Sequence, residues 1–579
     1  MKIKFLPGCI LAASMALTTS CSDFLTEDPK GQLTPDNVFK KTESLSMSLN
    51  SLYNSLLSYQ CNSNSMIVQC MGDDVTSSVG SNKSAYLSSD VFATPTDQKG
   101  VEKLWSDCYN IIKNANYTID CAKYIGATKE DAGEYLGQAY FWRAYAYYSL
   151  VRTWGPVPLA PEAVLSVDVK NNTDAIPLSS VEEIYNKIVE DLKSAEECNL
   201  PAQYTGANKS VGGSNIYVSK QAVKSMLAAV YMSMAGYPLN KTENYALAAD
   251  KAKEALDVMD QTGANSLLTD WRDVYNYGNN YSKECILGLY YNPVTGSWGD
   301  DDSQLTSCHT ILYYDKKYAG WGDFIAERRF WAEYPDGPRK KAVYGETLLS
   351  LAGNNVDWWA TTDGNPLDAK RENAVITDYR PMFTGFAVNQ DATGAAVKAP
   401  FDCTKPIYAG MTLGKTHQLI RYAEVLCWFA EASARSGKYH AEARAALKKI
   451  RQRAYSDQAV INAVDNMSDE QLAEAAWNEH RYEVAGNVLG MVTCREDLFR
   501  LNKLKDQYDY RSGAQGMVLI PAGTITRSED KKGQPFTYSL KEDLKVSEEN
   551  VQTETWKGDA SMYSMYPPTQ VEKNPNLKR

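Results

Sequence analysis

Apolar residues recur at helical spacing along two long stretches of the chain. Ile184, Ile188, Leu192 and Ala195 step by four, four and three, which places them on one face of a helix. Ser180 and Glu183 stand just before that run, and a hydroxyl with a carboxylate three residues on can satisfy the orphan amides of a helix start. Val223, Leu227, Val230 and Met234 repeat the rhythm until Gly236. A loop with Pro238 follows, and then Ala248, Ala252, Ala255 and Met259. Near residue 420 the pattern returns as Leu419, Ala423, Leu426 and Ala430, ended by Gly437. Its partner carries Ala443, Leu447, Ile450 and Ala454. Leu136 to Trp154 is apolar or aromatic nearly all round, which predicts a central buried helix.

These runs read as helix–Gly–helix hairpins with alanines at the crossing points, where small side chains let two helices approach closely. Each hairpin needs a neighbour to bury its other face, so the physics resembles a tetratricopeptide-like array. The expected class is mainly α: a tetratricopeptide-like helical-hairpin scaffold with long loops and small β-hairpins. On the helix expected from Leu419, the opposite stripe is Arg421, Glu424, Trp428, Glu431 and Arg435. It reads as a salt-bridged face worth about a few tenths of a kcal/mol per pair rather than as a catalytic row.

From Thr262 to Lys415 helical rhythm gives way to Gly, Asp, Asn and aromatic residues. The run from Cys285 to Tyr291 predicts a strand. A structureless loop of this length is implausible in a compact protein, so small hairpins and surface loops laid on the helices are expected.

The start of the chain has its own pattern. Lys2 and Lys4 precede a mostly apolar stretch from Phe5 to Leu17, small residues from Thr18 to Ser20, and Cys21. That predicts a signal peptide over 1–20, too short to span a membrane. A Cys after small residues is the bacterial lipoprotein arrangement, with Cys21 as the lipidation site. Several acyl chains would hold where one binds reversibly. Beyond it lie three regions: 21–261, helical; 262–415, rich in loops and aromatics; and 416–579, helical again.

Without Lys2 and Lys4 the chain has 58 basic and 71 acidic side chains, a net of −13. With no cation excess to displace counterions, nucleic acid is an unfavourable partner. Beyond Cys9 and Cys21, ten scattered cysteines contain no C-x-x-C pair. Cys198 and Cys427 sit inside apolar helical patterns as small hydrophobes. Cys61 and Cys70 are the pair that an oxidising compartment would allow to bridge.

The enzyme signatures are weak. Ala409 to Thr416 fits a loose phosphate-loop pattern but lacks a good preceding strand. Four histidines without H-x-x-x-H offer no zinc ligand set, and no G-x-S-x-G elbow is present. Carboxylates for glycoside hydrolysis abound and exclude nothing. No cofactor or catalytic residue is assigned. Asp300–Asp302 and Asp363-Gly364-Asn365 carry the oxygen ligands that Ca²⁺ takes, yet read as solvated loops.

Several segments together resemble the SusD/RagB family of Bacteroidota outer-membrane lipoproteins. They are Cys21 to Leu25 with Pro29, Leu33 to Phe39, Gly137 to Tyr148 with Gly155 to Leu159, and Ser180 to Ala195. Leu419 to Leu426, Ile450 to Ala454, and Tyr566-Pro567-Pro568 through Leu577 complete a collinear set over the whole chain. One departure stands out. The family's Glu-Arg, Glu and Gly-Xaa-Arg-Xaa-Asp-Leu run appears as Glu479-His480-Arg481-Tyr482-Glu483 and, after an insertion, Cys494-Arg495-Glu496-Asp497-Leu498. The resemblance implies a helical scaffold on the outer leaflet of the outer membrane, partnered with a SusC-like TonB-dependent transporter. It implies non-catalytic capture of an oligosaccharide or, in some branches, a peptide. An exported glycosidase is the alternative from another class.

Six of the twelve tryptophans lie between 262 and 415. Sugars present apolar C–H faces and many hydroxyls, so aromatic platforms flanked by polar side chains suit them. Trp358 and Trp359, beside Asp357 and before Thr361 to Asn365, are the first candidates. Trp298 and Trp321 stand in Gly-rich contexts, and Tyr86 adds a wall from the N-terminal half. Trp271 and Trp331 read as packing residues instead.

Overall fold

The helices expected from periodicity form in the computed structural model, each packed on the next. The structure describes residues 40–61, 72–76, 99–162, 176–206, 209–275, 279–290, 325–345, 416–512 and 556–578, with isolated short strands between 347 and 413 and between 518 and 546. The first half contains α1 (Leu45–Cys61), α2 (Lys99–Tyr124), α3 (Gly133–Trp154), α4 (Val181–Glu197), α5 (Lys220–Ala235) and α6 (Asn244–Thr262). Each contacts its successor. The mainly α, tetratricopeptide-like scaffold is therefore present.

Local chemistry explains the ends. At the start of α4 the Glu183 N–H donates to Ser180 Oγ (3.2 Å), and the Ser180 N–H donates to Glu183 Oε2 (2.7 Å), a closed capping box. Gly236 ends α5 because of space: a Cβ there would lie 2.2 Å from the Arg500 carbonyl oxygen. That oxygen accepts the Tyr237 N–H at 2.7 Å. The central helix α3 buries 19 of its 22 residues, which is why it shows no amphipathic stripe. Its Arg143 is held by both Asp191 oxygens at 2.7 and 2.6 Å.

The second half contains α9 (Tyr422–Ser436), α10 (His440–Ala454), α11 (Asp469–Val484) and α12 (Cys494–Arg500), with two short helices before them, α7 (Arg328–Glu333) and α8 (Pro338–Val343). Helix α6 packs directly on α9, so the array continues across the long segment between them. Tyr422 donates to Asp260 (3.0 Å) and Tyr439 to Asp250 (2.7 Å) across this contact.

Every sheet among the described residues is a two-stranded antiparallel ribbon. The predicted strand is β2 (Cys285–Leu289), paired with β4 (His417–Arg421) so that Leu289 faces His417. The intervening chain thus leaves and returns at one point. A second ribbon joins β1 (Val75–Thr76) to β3 (Ile325–Ala326).

Two expectations change. Leu419, Ile420 and Arg421 are strand, and the helix begins only at Tyr422. Pairing with β2 wins over helical spacing there, because both faces of the segment are buried. Residues 325–345 also return to the core: Phe330, Tyr334, Arg339 and Val343 are buried.

Candidate functional site

The face of α9 expected to carry surface ion pairs lies inside the protein. Thirteen of its 15 residues are buried, and Arg421, Glu424 and Glu431 are 0–1% exposed. The sequence pattern of charges was right and its environment was not. Partners from other elements neutralise the charges, which spacing along one helix cannot reveal.

The resulting network spans both halves of the chain. Arg421 donates to Glu284 Oε1 (3.0 Å), Glu483 Oε2 (3.2 Å) and the Glu483 carbonyl oxygen (2.6 Å). Arg453 bridges the same two carboxylates at 2.6 and 2.7 Å. Arg339, from α8, donates to Glu483 Oε1 (2.9 Å) and Glu479 Oε2 (2.7 Å). Burial alone would raise the Glu483 pKa, but Arg453, Arg339 and Arg421 hold it well below the ordinary carboxylate range.

A second cluster contains His480. Its Nδ1 lies 2.5 Å from Asp497 Oδ2, and its Nε2 lies 3.7 Å from Glu424 Oε1. Arg500 grips both Glu431 oxygens (2.9 and 2.6 Å) and reaches Asp497 (2.9 Å). Burial opposes a charge on His480, yet Asp497 and Glu424 outweigh it and lift the pKa to about 9. Burial raises Asp497 less than His480 and Arg500 lower it, to about 2. His480, in the segment where the chain departs from the family pattern, is thus buried against Asp497, which stands at the pattern's Asp-Leu position.

A third cluster fastens the β1–β3 ribbon. Arg481 pairs with Asp73, and Arg329 lies 3.8 Å from it. The Gly486 N–H donates to Asp74 Oδ2 (2.8 Å), and the Glu327 N–H donates to the Asp74 carbonyl oxygen (3.0 Å). Arg511 donates to the Gly72 and Val75 carbonyl oxygens at 3.1 and 3.3 Å. Asp73, Asp74 and Cys494 hold metal-ligating atoms within 4.8 Å of one another. Their positive charge already comes from Arg481 and Arg329. Burial also pushes the Asp74 carboxyl up to about 6, so this is a poor cation cage.

Two segments that carry candidate aromatic residues adjoin this ribbon in the sequence. Thr76 pairs with Ile325. The chain that carries Tyr86 starts after Thr76, and the chain that carries Trp298 and Trp321 ends before Ile325. Those two segments share one anchored point. Asp357 ends a hairpin strand (Asn355–Asp357) that pairs with Thr347–Leu349 and lies beside Gly523–Arg527. Trp358 and Trp359 follow it directly.

The five aromatic candidates Tyr86, Trp298, Trp321, Trp358 and Trp359, and Cys21, lie outside the described residues, as do Cys70 and the aspartates at 300–302. Trp271 is buried against Tyr275, and Trp331 is half-buried with the Lys340 ammonium 5.3 Å above its ring; both pack as expected. Sequence reasoning missed the pair Tyr281–Tyr290, stacked at 5.5 Å and 18° where β2 ends, with Tyr281 36% exposed. Its signal is faint, because strand β2 separates the two residues in the sequence. The described residues of the phosphate-loop pattern do not lead into a helix. Tyr408–Ala409 and Thr412–Leu413 form a hairpin, Thr416 is bonded to Asn280, and a strand rather than a helix follows.

No described helix is long and apolar enough to cross a membrane. Residues 23–232 match a family described as starch-binding, associating with the outer membrane, and residues 283–579 match the SusD family. SusD-like protein P2 of Formosa agariphila is 22% identical over 525 residues, covering 88% of this chain and 95% of that protein. A SusD homolog from Bacteroides thetaiotaomicron superposes with a TM-score of 0.71 at 19% identity, over 94% of this chain and 97% of that one. A structure solved with a xylogluco-oligosaccharide superposes with a TM-score of 0.64 at 18% identity, over 93% and 98% of the two chains. With its helical array, its paired ribbons and these matches from one end to the other, the chain is a member of the SusD family.

Proposed function

We propose that this protein is a cell-surface lipoprotein, anchored in the outer membrane through Cys21, that captures oligosaccharides or polysaccharides. It passes them unbroken to a SusC-like TonB-dependent transporter. Trp358, Trp359, Trp298, Trp321 and Tyr86 supply stacking surfaces in the 262–415 region and its N-terminal neighbour, and Tyr281 adds an exposed ring. The observation that carries this reading is the β1–β3 pairing, which ties the Tyr86 segment to the Trp298–Trp321 segment on a buried charged base. The oligosaccharide bound by a chain of the same fold supports the ligand class. The non-catalytic reading is supported by the interior carboxylates Glu284, Glu479, Glu483 and Asp497, each committed to arginine or histidine.

Calorimetric titration of the detergent-solubilised full chain with neutral oligosaccharides and peptides tests this, with the recovered ligand analysed for cleavage. Saturable sugar binding with intact ligand is expected. Replacing Trp358 or Trp321 by Ala should weaken it about tenfold, roughly 1.4 kcal/mol, with an unchanged melting temperature. Peptide binding alone would favour the peptide branch, and cleaved sugar would favour a glycosidase. Cys21→Ser should move the protein out of the membrane fraction.

A further inference from the structure

A cleft of about 530 Å³ opens between α2, the turn at 156–161 and the C-terminal helix α13 (Pro568–Lys573). None of these elements belongs to the β1–β3 frame. The volume falls in the range of small-ligand sites, about 300–1,000 Å³. Trp105, Tyr109, Asn110, Lys113, Gln570 and Lys573 line it.

Its walls are rigid. Trp105 is wedged against Tyr109 (5.0 Å), Trp154 (5.2 Å) and Tyr566 (6.0 Å). The Tyr109 hydroxyl donates to the Pro158 carbonyl oxygen (2.8 Å), and Asn574 Nδ2 donates to that of Ile176 (2.9 Å). Asn116, deeper in, donates to Pro161 (2.9 Å) and accepts from Arg143 (2.7 Å). These groups are engaged in holding the cleft open.

The remaining polar groups are not. Among the described residues, the side chains of Asn110 and Gln570 have no hydrogen-bond partner, and Lys113 and Lys573 have no carboxylate partner. On a chain of net charge −11, two unpaired ammonium groups on one cleft concentrate attraction for an anion there. Proline and aromatic walls suit the C–H faces of a sugar ring, and the amides suit its hydroxyls. We propose that this cleft binds a carboxylated saccharide, with Lys113 and Lys573 on the carboxylate and the Tyr109–Pro161 wall, backed by buried Trp105, under the ring. The inference does not rest on the aromatic loop site proposed above.

Titration of the full chain with trigalacturonic acid, with galactotriose as the neutral counterpart, tests it. The acid should bind saturably and at least about tenfold more tightly than the neutral sugar, and added salt should weaken it. Changing both Lys113→Ala and Lys573→Ala should cost about tenfold or more for the acid, and Lys→Arg at both should retain it. The Trp321→Ala and Trp358→Ala variants should bind the acid unchanged. The assignment is overturned by absent binding of the acid, by equal binding of acid and neutral sugar, or by binding that survives the double alanine variant. Acid binding lost with the tryptophans and kept without the lysines would place it at the loops and overturn the cleft site as well.

Discussion

Two buried histidines in opposite electrostatic settings contribute to the pH dependence of stability at opposite ends of the range. His480 is lifted to about 9 despite burial, because Asp497 and Glu424 face it. Above its unfolded value near 6.5 the native state holds a proton that the unfolded chain releases. Its contribution is therefore complete below about pH 6.5 and is lost as pH rises through about 9. Burial lowers His417 to about 3. Here the unfolded chain takes up the proton first, so stability falls as pH drops from about 6.5 toward 3. Urea unfolding from pH 4 to pH 10 should show a maximum near neutrality. His417→Leu should flatten the acid limb and His480→Gln the alkaline limb. An unchanged alkaline limb in His480→Gln would refute the charged-histidine assignment. His480→Gln should also be less stable at pH 7, because it strips a partner from buried Asp497.

At the scale of elements, the same charge pattern has two different values. On α6, Lys253 and Asp257 form an i,i+4 pair at 2.9 Å with the side chains 32% and 49% exposed. Solvent screens such a pair, so Lys253→Met should cost less than about 1 kcal/mol. On α9 and its entry strand the charges are buried. Arg421→Met leaves Glu284 and Glu483 short of a partner and should cost about 3–5 kcal/mol, measured by denaturant unfolding. Comparable losses for the two variants would place Arg421 in solvent and contradict the fold. Helix ends offer a milder test. Gly437 ends α9 at φ +70°, and a Cβ added there would meet nothing within 4 Å. Gly437→Ala should therefore cost only the left-handed backbone penalty, about 1–2 kcal/mol.

At the scale of the whole molecule, the array does not stop at the long middle segment. Helices α6 and α9 touch directly, and the chain departs and returns where Leu289 faces His417. The segment is nonetheless tied down. Arg339 inserts from α8 into the carboxylates of α11, wholly buried, and Phe383 packs on Tyr344 at 5.3 Å. Arg339→Ala should therefore lower the melting temperature of the entire protein in one cooperative transition. A separate early transition, with the main one unmoved, would mean that the middle segment melts independently of the helices.

The helices and the family were legible in the sequence because they rest on local rules. Spacing at four and three, the Ser180–Glu183 cap, the stop at Gly437 and the all-apolar Leu136 to Trp154 run each record a local fit between side chains and backbone. The strand at Cys285 was legible for the same reason, as a short apolar run between turn residues. What tertiary structure decided is environment. Arg421, Glu424 and Glu431 read as an ordinary charged helix face. Partners from distant parts of the chain, Glu284, Glu483, His480 and Arg500, join the local Arg435 in offsetting the cost of burying those charges. Likewise the β1–β3 ribbon is two residues long on each side, too short to leave a periodic signal. Yet it pairs Thr76, after which the chain runs on to Tyr86, with Ile325, which follows Trp321 by four residues. Sequence alone could name aromatic residues suited to sugars. Which of their chain segments start from a common anchor was set by long-range pairing, whose partners lie too far apart along the chain for any local pattern to record.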